Sequence, residues 1–178
     1  MNYKLFWYRN RRIILASIII YILGIILGLV FNDILHTDPP TKSIKNNPSF
    51  LHFAYHNLLA NILTCFSFFT FGIFTIVLII YNGFLIGLSS IHSIEQGKNL
   101  LYVICALLPH GIFEIPAFIF AGAIGFKGLD FIFKKITGKK VELFFRDILT
   151  MLLVIFILTC IAAIIEANIT PMILNKLS

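Results

Sequence analysis

Apolar residues run along the chain in long stretches, over about 13–31, 50–91, 100–126 and 148–169, and polar residues gather between them. A helix rises about 1.5 Å per residue, so roughly 20 apolar residues cross a bilayer. The stretch over 50–91 is about twice that length and predicts two helices, with a break near Phe69 to Gly72. The pattern therefore predicts an all-α, polytopic membrane helix bundle. It has about five transmembrane helices, over 13–31, 50–68, 72–91, 100–126 and 148–169, in a single domain spanning 1–178. A transmembrane barrel would need strands that alternate with period two, and these runs do not alternate.

Composition agrees with the class: 59% of residues are hydrophobic and only 12% are charged, with a mean hydropathy of +0.96. A soluble domain of this length needs more charge to cover its surface. The first apolar run is too long for the core of a signal peptide, and no small-residue cleavage pattern follows it, so it reads as a retained helix. Cys65, Cys105 and Cys160 all lie in apolar segments without paired spacing and form no metal motif.

Charge sets the expected direction. Lys4, Arg9, Arg11 and Arg12 precede the first span, beside Phe6, Trp7 and Tyr8, which suit the headgroup level. The loop after that span carries Asp33 and Asp38 against Lys42 and Lys45, with Pro39, Pro40 and Pro48, and has no net bias. Residues 127–147 hold six basic against three acidic side chains, interleaved with apolar ones. They predict a cytoplasmic loop, readable as a basic amphipathic helix on the inner leaflet. With five spans, both basic segments fall on one side: N-terminus cytoplasmic, C-terminus outside, in a cell membrane. The basic residues flank membrane spans, which argues against nucleic acid as a partner; the lipid bilayer is the expected one.

Polar residues inside the spans are the candidate chemistry. Pro109, Gly111 and Pro116 interrupt the fourth span, since proline removes a backbone donor and clashes with the preceding turn. That span is expected to be kinked or broken at the Pro-His-Gly motif, as one bent helix or two half-helices facing other helices or a watery cavity. His110 and Glu114 are four residues apart, on one face if the turn stays helical. With Asn57, Asn61, Asn82 and Glu166 they form an expected intramembrane polar core. The first reading of that core is structural, as interhelical hydrogen bonding and capping. The second is a pathway for a proton, an ion or a lipid headgroup. The third is a metal site for hydrolysis built from His110, Glu114 and Glu166, although the two-histidine helix signature is absent. No catalytic residue, cofactor or metal is assigned. His52 and His56, also four apart, read as headgroup-level residues beside Tyr55. The small-residue stripes Gly24/Gly28, Gly83/Gly87 and Ala117/Ala121/Gly125 read as helix-packing faces.

The motifs YNGFLIG at 81–87, LPHGIFEIPAFIFAGAIG at 108–125 and IEANITP at 165–171 resemble the stage II sporulation protein M family. HNLLAN at 56–61 resembles the family's polar second-helix motif, with His56 where many members have the first of two asparagines. The resemblance runs from about Phe50 to Pro171, and the Pro-His-Gly motif at 109–111, with glutamate four residues after the histidine, is its most specific element. It implies an integral membrane protein of about five spans. In spore formers the named member works with two cell-wall hydrolases during engulfment and is thought to anchor or localise them, while similar members occur in organisms that do not sporulate. The expected function is thus a non-enzymatic scaffold for membrane or envelope partners, cell-wall hydrolases among them if the source makes spores. The alternative is a small transporter or lipid-translocating protein, which with so few spans requires a homo-oligomer; an intramembrane metallohydrolase comes third.

Overall fold

The structure, a computed structural model, describes residues 3–31, 49–138 and 145–177, without the side chains of 110 and 175–177. Among the described residues five α-helices follow one another: α1 Tyr3–Val30, α2 Phe50–Phe66, α3 Ile73–Glu95, α4 Leu100–Ile136 and α5 Phe145–Leu177. A short 3-10 helix, Ser67–Thr70, follows α2, and no strand occurs among the described residues. Four of the helices are long and apolar enough to cross a membrane; α2, with 17 residues, is the short one. The loop read over 32–48 and the basic residues Lys139 and Lys140 lie outside the described residues.

The reversal between α2 and α3 falls where the sequence placed a break. Phe71 and Gly72 both take left-handed backbone, φ 55° and 80°, a conformation that glycine adopts without steric cost. Behind them the turn is tied by hydroxyls. Ser67 donates to the Thr64 carbonyl at 2.5 Å and its hydroxyl also pairs with that of Thr75.

Small residues let the helix backbones touch. Gly24 and Gly28 of α1 lie against the backbone of Ile80 and Phe84, while Gly83 and Gly87 of α3 lie against that of Tyr21 and Ile25. The two stripes pack on each other with α1 and α3 parallel, a contact that packing can sustain in lipid where apolar burial offers no drive. On α4, Gly122, Gly125 and Gly128 receive Ile79, the Thr64–Thr75 turn and the Phe68 carbonyl. Helix α5 packs along α4, around Ala117, Ala121, Ile124, Met151 and Ile155. Large apolar side chains such as Ile19, Phe74, Leu153 and Phe156 stay exposed, the band that lipid covers.

Three sequence expectations change. First, α4 is continuous helix from Leu100 to Ile136 with Pro109 and Pro116 inside it, so the two-half-helix alternative does not form. Each proline removes one hydrogen bond, and the bonds on either side hold the helix together. Second, residues 127–136 are not a loop or a separate surface helix but the end of α4. Third, α1 starts at Tyr3, well before residue 13, and α5 passes Pro171 to reach Leu177. Apolar runs mark the hydrocarbon layer, whereas helices continue into the headgroup region. At 37 residues, α4 is about 55 Å long, against a hydrocarbon layer of about 30 Å.

At the end of the bundle that carries the N-terminus, Arg9 pairs with Asp147 through two hydrogen bonds, one of them Nε to Oδ2 at 2.8 Å. Asn10 donates to Asp147 Oδ2 at 2.9 Å and accepts from Lys127 Nζ at 2.6 Å. The network is closed and buried, with Asn10 and Asp147 fully so. It joins α1, α4 and α5.

Candidate functional site

A cavity of about 490 Å³ opens at the opposite end. Glu114 lies thirteen residues before Lys127, about 20 Å along α4. Four helices supply the cavity's polar wall: α2 gives His52, His56 and Asn57, α3 gives Asn82 and Ser89, α4 gives Glu114, and α5 gives Glu166. On α2 these residues fall on one face because 52, 56 and 57, together with Ala60, follow the helical period. His52, His56 and Ser89 are exposed and form the rim, whereas Asn57, Asn82, Glu114 and Glu166 are half-buried.

Contacts among them are loose. Asn82 Oδ1 accepts from the buried Tyr21 hydroxyl at 3.3 Å, and Tyr21 stacks at a tilt on Phe118 with centroids 6.3 Å apart. His56 Nδ1 stands 3.5 Å from Asn57 Oδ1, and Asn57 and Glu166 both line the cavity. Glu114 is close enough to His56 and Glu166 to feel their charges, yet its carboxylate has no hydrogen-bond partner among the described residues. It faces the cavity. Among the described residues no lysine or arginine lines the wall; its ionisable groups are two carboxyl groups at depth and two imidazoles at the mouth.

Of the expected polar core, Asn57, Asn82, Glu114 and Glu166 meet here. Asn61 does not: it is buried between α2 and α5, donating to Thr159 Oγ1 at 3.1 Å, with its own Oδ1 unpartnered among the described residues. The His110 side chain lies outside the described residues. Gly111 lines the cavity, Pro116 lines a neighbouring apolar groove, and Pro109 lines neither. Among the described residues no three His, Cys, Asp or Glu side chains gather into a metal-ligand group. Sequence reasoning set His52 and His56 aside as interfacial residues; their spacing of four, continued by Asn57 and Ala60, is the signal that one α2 face looks inward. The Arg9–Asp147 network was missed as well, because basic flanking residues were read for topology alone.

A profile of the family described as stage II sporulation protein M matches residues 17–171. The chain belongs to this family. It is 33% identical over 175 residues to the uncharacterized protein MJ0793 of the archaeon Methanocaldococcus jannaschii, covering 92% of this chain and 97% of that one. A second protein of the same archaeon, the uncharacterized protein MJ0706, is 29% identical over 183 residues, covering 91% of this chain and 83% of its own length. No solved structure matches. As a stage II sporulation protein M family member, the chain is an integral membrane protein. The matched region contains every residue of the cavity wall, from His52 to Glu166. Arg9 and Asn10, the α1 half of the buried network, fall outside it.

Proposed function

We propose that this protein binds a small polar group in the cavity and serves as a small transporter or lipid-translocating protein. One contrast carries the reading. At the end of the bundle that carries the N-terminus and at the α2–α3 turn, polar side chains are closed on each other, as in Arg9–Asn10–Lys127–Asp147 and Ser67–Thr75. Those from four helices at the other end are left facing a space of about 490 Å³. Intramembrane carboxyl groups that face a cavity are suited to a passing cation or headgroup. The basic end, with Lys4, Arg9, Arg11, Arg12, Lys134, Lys135 and Arg146, faces the cytoplasm on the positive-inside rule, and the cavity then opens outward. With five helices, transport takes place in a homo-oligomer.

Family membership favours a second reading, a scaffold that localises membrane or envelope partners. Thermal denaturation of the purified protein with a panel of soluble amines, phosphates and dispersed lipids separates the two. The cavity reading expects one ligand class to raise the midpoint of wild type but not of a Glu114→Gln/Glu166→Gln variant of unchanged helix content. If nothing in the panel acts on either form, and both forms recover the same cross-linked partners, the scaffold reading replaces it.

A further inference from the structure

Gly111 differs from the other glycines buried in the helices. A methyl group placed on Gly24, Gly28, Gly83, Gly87 or Gly128 would collide with a neighbouring backbone. On Gly111 it would meet only Ile115 Cδ1, at 3.8 Å, an ordinary contact. Gly111 is buried, yet among the described residues no neighbour fills the space beside it. Close helix packing therefore does not account for this glycine.

The space beside Gly111 lies between two cavities. On one side is the polar cavity. On the other is an apolar groove of about 600 Å³ between α1, α3 and α4, walled by Ile25, Leu29, Ile94, Val103, Ile104 and Ile112 among others. Leu107, Gly111 and Ile115, spaced by four on one face of α4, line both. A side chain at 111 would stand in the shared wall, and glycine leaves that wall thin. Two half-buried carboxyl groups from different helices, with no lysine or arginine beside them among the described residues of the wall, make a place where an ammonium group would favour their ionised form. His52 and His56 at the rim are placed to donate to a phosphate.

Resting on the cavity reading above, we propose that the polar cavity and the apolar groove are two halves of one lipid site. It takes an amphiphile with a cationic amine headgroup: the ammonium lies by Glu114 and Glu166, the phosphate faces His52 and His56, and a hydrocarbon chain passes Gly111 into the groove. Chemistry on the wall selects the headgroup, and the gap at Gly111 admits the chain.

Native mass spectrometry of the protein released from phosphatidylglycerol nanodiscs doped with phosphatidylethanolamine tests this. The expected result is one phosphatidylethanolamine retained per chain, at least tenfold over phosphatidylglycerol. Gly111→Leu lowers that retention at least tenfold, and Gly111→Ala keeps the wild-type fold. Where Gly111→Leu does not fold, Ile112→Trp, at an exposed position of the groove wall, blocks the chain instead. Retention unchanged by either groove variant but abolished by Glu114→Gln/Glu166→Gln overturns the two-part site and leaves the cavity reading standing. Equal retention of the two lipids by wild type overturns the headgroup assignment. Retention indifferent to both sets of variants overturns the lipid site and the cavity reading together.

Discussion

Asp147 takes three hydrogen bonds on its two carboxylate oxygens, two from Arg9 and one from Asn10, while its own side chain is wholly out of contact with solvent. Such charge-assisted pairs are strong because the guanidinium fork matches the carboxylate, and breaking one leaves a desolvated group behind. Asp147→Asn is expected to destabilise the protein by about 1–3 kcal/mol, read as a lower thermal midpoint in detergent. Arg11→Ala and Arg12→Ala, at exposed positions, are expected to leave that midpoint within about 0.5 kcal/mol. At this scale the sequence was a partial guide. It singled out Glu114 and Glu166 because a carboxylate among apolar residues is conspicuous, but it passed over Asp147 and Lys127, which sit at the edge of charged segments and look like solvated flank residues. A side chain's partner, 137 or 138 positions away in the chain, is not written in its neighbours.

Helix seams were easier to read than helix ends. Gly24/Gly28 and Gly83/Gly87 stood out by spacing alone, and they do pack, one stripe on the other. Spacing did not say which stripe met which, nor that Gly111 belongs to a different class. Gly83→Ala forces the α1–α3 backbones apart, an overpacking penalty of about 1–3 kcal/mol that outweighs the helix-propensity gain of up to about 1 kcal/mol. Gly111→Ala meets no obstacle and is expected to stabilise by about 0.5–1 kcal/mol. Opposite shifts in thermal midpoint for these two substitutions check the distinction; shifts of the same sign contradict it. Helix ends went wrong for a general reason. Hydropathy reports where lipid stops, whereas α4 stops where a turn ends it, at Thr137 and Gly138.

For the whole molecule, the two polar regions sit at opposite ends of the bundle, a closed basic one and an open acidic one. The positive-inside orientation predicts that a cysteine at His52, in a chain whose three native cysteines are replaced, reacts with an impermeant maleimide added to intact cells. A cysteine at Lys134 is expected to react only after permeabilisation. The reverse pattern would turn the protein over and place the cavity on the cytoplasmic side. By itself the sequence determined the class, the α2–α3 reversal and the family, because each follows from local properties: run length, hydropathy, a glycine at a turn, a motif in register. Tertiary structure alone decided that Asn57, Asn82, Glu114 and Glu166 share a cavity while Asn61 pairs with Thr159, and that the basic flank is locked by Asp147. It also decided that α4 runs through Pro109 and Pro116 as one continuous helix, with Leu107, Gly111 and Ile115 lining both a polar and an apolar space. Those outcomes depend on how each helix is rotated about its axis and which helix lies beside it. Both are set by side-chain packing between segments far apart in the chain, which periodicity along one segment does not encode.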